Sequence, residues 1–445
     1  MEIPVPKRPS FWQSVTFKLI IIGLLILIML IPGAMIRNLI SEREQTQLDV
    51  ISEIGSKWGY GQTINGPVLS IPYYHYTELD DKSYREIRFA HFLPGELEVD
   101  AEITPEIRYR GIYKAVVYNT VLKVSGSFDF PDTDKLKIER SSVLMDDAFV
   151  QVGITDMRGI QQALPFEWNQ QVLEVEPGIP TGDISSSGFH VKTSLEESDH
   201  FDFQFELNLN GSDHLYFVPV GKSTNIRMKS SWRHPRFDGA FLPDKRDISD
   251  AGFEAAWNVL HLNRNYPQSW KGSAYQTDQS AFGCFLILPV DQYQKTMRSA
   301  KYAIMFIALT FMIFFFVEIL NRRRIHPVQY LLVGLSISIF YVLLLSLGEQ
   351  IGFNLSYLVS SVAIIGLITA YAASIFRHIK LTLILGICVV LLYAFLFILI
   401  QLQDYALLLG SFGLFVAMGL IMYTSRNVDW YSTTSMKNPD KHIGF

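Results

Sequence analysis

Five apolar runs in the last third of the chain constrain its fold more than any other feature. Short polar connectors separate them, and the runs are Tyr302–Leu320, Val328–Leu347, Leu355–Phe376, Leu381–Ile400 and Tyr405–Thr424. Each is close to the roughly 20 residues that a helix needs to cross a hydrocarbon core about 30 Å thick. A segment inside lipid must satisfy its own backbone hydrogen bonds, so the pattern predicts five transmembrane helices rather than five buried strands.

A sixth apolar run, Phe17–Ile36, lies near the N-terminus behind the basic residues Lys7 and Arg8. A basic segment followed by apolar residues is also typical of a signal peptide, but this run is long and lacks a small-x-small cleavage site. We therefore expect an uncleaved first transmembrane helix at residues 17–36, after a cytoplasmic N-terminus at residues 1–16.

Composition agrees with a membrane protein and argues against a nucleic-acid-binding protein and against a disulfide-stabilised one. Of the 445 residues, 49% are hydrophobic and 18% are charged, whereas soluble domains carry about a quarter charged residues. The formal net charge of −5 gives no indication of nucleic acid binding. The two cysteines are Cys284 in the polar region and Cys388 in a predicted span, so a disulfide framework is excluded.

The distribution of basic residues predicts the orientation of the spans. Every second connection is basic, and the basic groups there are Arg322, Arg323, Arg324, Arg377, His378, Lys380, Arg426, Lys437 and Lys441. The alternate connectors, Gly348–Asn354 and Gln401–Asp404, contain no Lys or Arg. The positive-inside rule then places both termini and the tail 425–445 in the cytoplasm, and residues 37–300 outside. Arg37 and Arg43 run against the rule, but long translocated domains weaken its force.

The outer region begins with helical spacing and then changes to strand spacing. Ser41 and Glu44 fit a capping box, although the helix could also continue from the first span, and an apolar helical face extends to Trp58. It could act as a lever or simply pack on the domain core. From Phe201 to Leu209 apolar and polar residues alternate, and Asn210-Gly211 predicts a hairpin turn after this strand.

Further strand candidates with turn signals between them predict a β-rich, sandwich-like domain. They are Pro67–Tyr76, Glu86–Phe92, Tyr109–Phe128 (as one or two strands), Phe149–Thr155, Phe189–Leu195, Leu215–Val220 and Phe282–Leu288. The pattern does not decide between helix and strand for Leu136–Met145 and Phe253–Leu262. The predicted fold is thus an α-helical membrane protein with six transmembrane helices and a β-rich, sandwich-like outer domain between the first and second.

The sequence motifs predict no catalytic, cofactor-binding or metal-ligating residues. Gly221-Lys222-Ser223 resembles the end of a P-loop, but Tyr216 stands where that motif needs a glycine, which favours a turn. The outer histidines lack paired spacing for zinc; they are His75, His91, His190, His200, His214, His234 and His261. Two polar segments, Ser231–Pro243 and His261–Gln268, could line a binding cleft or could pack as long loops.

Charges in the predicted spans lie at their ends, which argues against a proton relay. Glu318 is four residues before Arg322, a favourable ion-pair spacing, and Glu349 and Asp404 lie at the opposite ends. Small residues recur in span four, including Gly366, and in span six, and these are typical of close helix packing; a gating interface is the alternative.

The chain also resembles a known family along nearly its whole length. The stretches that carry the resemblance are Gly66–Val68, Thr104–Tyr118, Phe237–Pro243, Asn263–Gln268, Arg324–Gly334, Leu345–Phe353, Asp404–Ser411 and Asp429–Tyr431. They are similar to the CreD family of bacterial inner-membrane proteins. The resemblance implies a role in cell-envelope integrity and stress response, colicin tolerance and β-lactam susceptibility, and it brings no known catalytic residue or ligand.

Together these observations favour a non-enzymatic envelope protein in contact with the lipid bilayer. Its outer domain would bind an envelope component or a partner protein, of unknown identity and with unknown oligomeric state. A transporter or flippase for a lipid or envelope precursor is the alternative, and a membrane-embedded hydrolase would need a nucleophile–base pair that the spans lack. The cytoplasmic corner Arg322–Pro327 has a topological explanation only.

Overall fold

The computed structural model describes residues 15–79, 82–195, 198–288, 292–321, 325–402 and 405–426. The chain divides into two compact units. One unit is continuous, Gln47–Pro289, and the other contains the chain on either side of it.

The helical unit is built from apolar helices that match the predicted spans. The helices of the chain are α1 (Val15–Ile28), α2 (Leu30–Trp58), α3 (Gln292–Lys301), α4 (Ala303–Leu320), α5 (Pro327–Ile351), α6 (Phe353–Phe376), α7 (Ile379–Gln401) and α8 (Ala406–Ser425). Among the described residues, six helical segments are long and apolar enough to cross a membrane, the first of them Val15–Trp58. The prediction of one N-terminal and five C-terminal transmembrane helices is confirmed.

Local sequence explains where the helices of this unit begin and end. α5 starts at Pro327, whose missing N–H is not needed at the first helical position, and His326 and Gln329 form a capping box before it. Gly352 alone separates α5 from α6 and has a φ of 76°, a conformation that a residue with a Cβ rarely adopts. α3 is short and amphipathic, with Tyr293 and Thr296 buried.

Aromatic rings fill the interior of the helical block. Phe340 of α5 contacts the rings of Tyr341, Tyr357 and Tyr393, with centroid separations of 5.0, 5.4 and 5.0 Å. Packing accounts for only part of the small-residue pattern predicted on span four. Ser356 and Ser360 are buried in α6, whereas no atom lies within 4 Å of the position that a Cβ at Gly366 would take.

The β unit is a two-layer sandwich of mixed sheets, which confirms the predicted fold class. The first sheet contains nine strands: β1 (Gln62–Leu79), β2 (Lys82–Phe92), β5 (Phe149–Ile154), β8 (Glu176–Pro177), β9 (Gly188–Lys192), β11 (His214–Phe217), β13 (Pro235–Gly239), β16 (Ser269–Lys271) and β17 (Phe282–Leu286). The second contains eight: β3 (Glu96–Arg110), β4 (Tyr113–Asp129), β6 (Phe166–Trp168), β7 (Gln171–Leu173), β10 (His200–Ser212), β12 (Ser223–Ser230), β14 (Lys245–Ser249) and β15 (Gly252–Leu260).

The core lies between the two sheets. The alternating residues Phe201, Phe203, Phe205, Leu207 and Leu209 of β10 are all buried there, because a strand turns every second side chain to the same face. Phe205 meets Phe189 of the other sheet at a ring separation of 6.0 Å.

Five local predictions need correction or are now decided. The hairpin turn predicted at Asn210-Gly211 is wrong, because β10 continues to Ser212 and the chain crosses to the other sheet at Asp213, where φ is 60°. The helical stalk has no new start at Ser41, since α2 runs unbroken to Trp58. Phe253–Leu262 is mostly strand β15, and Leu136–Met145 contains short 3-10 turns. In Tyr109–Phe128 the turn at Gly111 separates the end of β3 from β4.

Candidate functional site

A buried chain of hydrogen bonds lies on the outer face of the first sheet. Ser70 of β1 and His91 of β2 are cross-strand partners, and the Ser70 hydroxyl lies 2.9 Å from Nδ1 of His91. The other ring nitrogen, Nε2, lies 3.1 Å from Oδ2 of Asp183 in the loop before β9. Two long antiparallel strands in register therefore bring together a serine and a histidine, and the loop adds the carboxylate.

The two hydrogen-bond partners of His91 assign the proton on its ring. A carboxylate of Asp183 only accepts hydrogen bonds, so Nε2 of a neutral ring donates to it and Nδ1 accepts from the Ser70 hydroxyl. Burial lowers the pKa of His91 below its ordinary value of 6.5, and the hydrogen bond and charge of Asp183 partly offset that effect. A neutral His91 satisfies both of its partners.

This Ser–His–Asp chain differs from a hydrolytic triad in two respects. In serine hydrolases the nucleophile bonds Nε2 and the carboxylate bonds Nδ1, whereas the ring here is used in the opposite sense. Ser70 and His91 are also 0% exposed, while only the Asp183 side chain reaches the surface, with 24% exposure. A substrate carbonyl has no path to the Ser70 hydroxyl in this arrangement.

An open polar groove of about 500 Å³ lies on the same domain. Thr63 and Asn65 of β1 and Gly153 of β5 form its floor, and residues 185–187 and Asp278 line its sides. Its volume is within the roughly 300–1,000 Å³ that is usual for ligand sites, but its lining is far more polar than most.

Buried amide groups lie at and beside this floor. Asn65 is 4% exposed and donates through Nδ2 to Thr277 Oγ1 at 2.8 Å and Asp278 Oδ1 at 3.0 Å. Within the described part of the chain, its buried Oδ1 has no hydrogen-bond partner, and neither does either amide atom of Gln151 on β5. Such groups are rare in folded proteins, because an unsatisfied buried polar atom is costly.

A second groove, of about 310 Å³, lies at the second sheet. Glu98, Arg227 and Asp244 contribute charge to its lining. Arg227 is engaged by a two-point pair with Asp100, whose shorter contact is 2.6 Å. This groove lacks the unpartnered buried amides of the first.

The two loop segments singled out in the sequence serve mainly as packing elements. In Ser231–Pro243, Trp232 donates to the Ile287 carbonyl at 3.0 Å and Phe237 packs on Trp257 at 5.7 Å. In His261–Gln268, the buried Arg264 donates to the Tyr266 carbonyl at 2.6 Å and the Val220 carbonyl at 3.2 Å. These contacts hold each segment to the sandwich, so they do not support the prediction that the two segments line one binding cleft.

The other sequence candidates have ordinary structural roles. Gly221 follows a strand connection, and its N–H donates to the Thr224 hydroxyl at 3.0 Å, which agrees with a turn rather than a phosphate loop. In the described ranges no three His, Cys, Asp or Glu side chains are grouped to hold a metal ion. Burial raises the pKa of the Cys284 thiol to about 12, so the thiolate is scarce at neutral pH.

Within the described residues of the helical unit, Glu318 takes part in an ion pair that is largely buried. Glu318 of α4 is 0% exposed and contacts the Lys18 ammonium of α1. It also accepts from the Ile325 N–H at 2.8 Å and the Tyr330 hydroxyl at 2.9 Å. The partner predicted for Glu318 was Arg322, which lies outside the described residues, and the observed partner comes from the first span.

Polar contacts also mark another part of this unit. Glu349 accepts from the Tyr293 hydroxyl at 3.0 Å, and Gln401 donates to Asn354 at 2.6 Å. Asp404, predicted at an outer end, lies outside the described residues. Apolar helix surface extends between these polar contacts and the Glu318 cluster, as a hydrocarbon layer requires.

Sequence reasoning missed Ser70, Asp183 and Asn65 as candidate residues. None is in a recognisable motif, and Ser70 and Asp183 are separated from His91 by many residues along the chain. The one available signal was the position of His91 in a predicted strand beside a second strand of similar length, which indicates a cross-strand partner but not its identity.

Comparison with known proteins agrees with the resemblance found in the sequence. The family model for the inner membrane protein CreD matches residues 14–431. An Escherichia coli (strain K12) inner membrane protein CreD is 35% identical over 439 residues, which are 96% of this chain and 95% of that protein.

The comparison with solved structures supports no conclusion about the fold or the function of this chain. A crystal structure of an M1 zinc metallopeptidase from Deinococcus radiodurans is 8% identical and covers 38% of this chain and 39% of its own, with a TM-score of 0.18. That similarity is too small to support any argument. The whole-length match to the family model and to the E. coli protein decides the question, and the chain belongs to the CreD family of inner membrane proteins.

Proposed function

We propose that this protein is a non-enzymatic inner-membrane protein that supports cell-envelope integrity by binding an envelope component through its β unit. The observation that carries the proposal is the contrast within that unit. Its Ser70 and His91 side chains are sealed from solvent, while a polar groove beside them is open. The envelope role itself comes from the family to which the chain belongs.

The proposal includes an orientation in the membrane. The positive-inside rule supports cytoplasmic termini and a periplasmic β unit, because Arg377 and Lys380 flank one connector while Gly348–Asn354 has no basic residue. The domain bounds proposed are 17–36 for the first span, 37–300 for the periplasmic region and 301–424 for the helical block. A reporter fused after Asn354 should be periplasmic, and cytoplasmic activity would contradict the orientation.

Deletion of the gene and rescue by variants test the binding function. Loss of the protein should raise envelope permeability and sensitivity to β-lactams, and the wild-type gene should restore both. Ser70→Ala should restore them as well, because the proposal gives the Ser70 hydroxyl no chemical step. Ser141→Ala, at an exposed serine elsewhere in the β unit, is the matched control.

Two results would contradict the proposal. An unchanged envelope after deletion would remove the supporting role. A Ser70→Ala protein that accumulates at the wild-type level but fails to rescue, together with labelling of wild-type Ser70 by a fluorophosphonate probe, would indicate catalysis.

Transport of a lipid or envelope precursor is a second candidate, and one observation favours it. Six buried hydroxyls in the helical block have no partner among the described residues: those of Thr310, Tyr341, Ser360, Ser361, Thr369 and Tyr393. A hydroxyl-lined interior could accommodate a polar headgroup, although the spans have no charge near their centres. Reconstituted vesicles separate the candidates, since a transporter moves fluorescent lipid between leaflets and a binding protein does not.

A further inference from the structure

The polar groove of the β unit has the chemistry of a carbohydrate site. We propose that it binds an uncharged, hydroxyl-rich saccharide segment. This inference rests on the proposed function, because it names the class of envelope component that the periplasmic domain would recognise.

The floor of the groove is rigid and presents hydrogen-bonding groups. Asn65 pairs with Gly153 across β1 and β5, and the Thr155 hydroxyl lies 3.1 Å from the Thr63 N–H. Because both Nδ2 protons of Asn65 are donated to Thr277 and Asp278, its Oδ1 remains as an acceptor. An acceptor held by two other bonds is pre-organised for a donor such as a sugar hydroxyl or N-acetyl N–H.

One wall, residues 185–187, is held at both ends. The Ile154 N–H of β5 donates to the Ser187 carbonyl at 3.0 Å, and Asp183 is bonded to His91. Gly153 permits the close approach of this wall, since a Cβ at that position would collide with the Ser185 hydroxyl. The His91–Asp183 hydrogen bond therefore has a positioning role: it fixes the loop that carries the serine hydroxyls of the groove.

The opposite wall is held by a second network. Thr277 is 2% exposed, and its carbonyl accepts from the Ser280 hydroxyl at 2.7 Å. Ser280 also contacts the Tyr266 hydroxyl at 2.8 Å. These bonds hold Asp278 at the rim, where its carboxylate is exposed.

The charge of the lining argues for a neutral ligand. Its polar groups are hydroxyls, an amide and one carboxylate, and no Lys or Arg is among the described residues that line it. Arg236, which interacts with the Tyr216 side chain at the edge of the groove, is itself paired with Asp238 at 3.1 Å. Phosphate recognition depends on Arg, Lys or helix N-termini, so a phosphorylated ligand is disfavoured here.

Tyr216 provides the aromatic surface that a saccharide ring can pack against. It lines the groove, and the His214 ring supports it at a separation of 4.5 Å. An aromatic ring beside carboxylate, amide and hydroxyl groups presents both the apolar face and the hydrogen bonds that a pyranose needs.

Calorimetry on the full-length protein in nanodiscs tests the inference. The probes are an N-acetylglucosamine tetramer, a glucose tetramer and inorganic phosphate. Wild type should bind at least one tetramer and should not bind phosphate. Preference for the N-acetylated probe indicates a peptidoglycan-type source, and preference for the glucose probe indicates a periplasmic glucan.

Two groove variants and one control locate the binding. Ser186→Trp fills the groove from its exposed wall, and Asp278→Asn removes the rim charge; each should weaken tetramer binding by at least about tenfold, which corresponds to about 1.4 kcal/mol. Ser141→Trp introduces the same side chain at an exposed serine outside the groove and should leave affinity within about twofold. Circular dichroism of each variant confirms that it is folded.

The inference is overturned if neither tetramer binds, if phosphate binds, or if Ser186→Trp binds as well as wild type. Its failure differs from failure of the proposed function. If folded Ser186→Trp protein rescues the deletion strain fully, the groove is not the site, and binding through another surface stands. If wild type has no effect on the envelope, the proposed function fails regardless of the groove.

Discussion

Removal of the Glu318 carboxylate should destabilise the helical unit strongly. Glu318→Ala deletes an acceptor that serves three donors from three parts of the chain: the Lys18 ammonium, the Ile325 N–H and the Tyr330 hydroxyl. Of these donors only Lys18 is partly exposed, at 22%, and its bond to the Ile325 carbonyl at 3.0 Å is unaffected.

The expected loss of stability follows from the donors that Glu318→Ala leaves buried without an acceptor. Each buried donor without a partner costs about 1–3 kcal/mol, and breaking a buried ion pair by removing one member costs about 3–5 kcal/mol. These figures overlap because they describe the same groups, so they are not summed. We expect Glu318→Ala to lower the free energy of unfolding by about 3–5 kcal/mol, and Glu318→Gln to cost less because its amide oxygen still accepts.

Unfolding in rising mole fractions of SDS gives this quantity. The reactivity of the Cys388 thiol in α7 reports on the helical unit when the measurement is made in a Cys284→Ala background. The matched control is Glu349→Gln, a carboxylate in the same block whose one bond among the described residues comes from the Tyr293 hydroxyl. Its cost should stay below about 1 kcal/mol.

A double-mutant cycle checks the assigned partner. Lys18→Met and Glu318→Ala should be coupled by more than about 1 kcal/mol, because the second substitution costs less once the pair is broken. Strict additivity would refute the Lys18–Glu318 pair. A loss below about 1 kcal/mol for Glu318→Ala would refute the conclusion that the carboxylate is buried and fully used.

Three further predictions concern the β unit. The free energy of unfolding of the β unit should be constant above about pH 6.5 and should fall below that pH, by up to about 1.4 kcal/mol per pH unit for His91. The reason is that burial holds the pKa of His91 in the folded protein below its value in the unfolded chain, so protonation favours unfolding. Urea titrations followed by tryptophan fluorescence at pH 7.5 and 5.5 measure this slope, which should be shallower in His91→Gln. Gly211→Ala should cost about 1–3 kcal/mol in the same assay because its Cβ would collide with the buried Tyr118 ring, whereas Gly182→Ala, with open space around it, should be neutral. Ser70→Ala should cost about 1–3 kcal/mol, because it leaves the buried Nδ1 of His91 without its donor, and a loss above about 3 kcal/mol would contradict that assignment.

The membrane spans could be predicted closely from the sequence for a local reason. A bilayer of fixed thickness demands about 20 apolar residues in succession, and that demand is visible without knowing any contact. Strand alternation in β10 is local in the same sense, since successive side chains face opposite sides. The Asn210-Gly211 prediction failed because this pair is equally suited to close packing, and Gly211 is needed where β10 passes Tyr118.

The candidate site depended on contacts between distant residues, which one sequence does not reveal. Ser70 faces His91 because of the register between β1 and β2, and Asp183 reaches the ring from a loop 92 residues further along the chain. Glu318 has a plausible partner four residues away, yet its observed partner is 300 residues distant in sequence. The sequence by itself determined which segments are helices in lipid and which are strands in a sandwich. Only the tertiary structure decided which polar groups meet and which are sealed from water, because burial and pairing depend on how all the elements pack together.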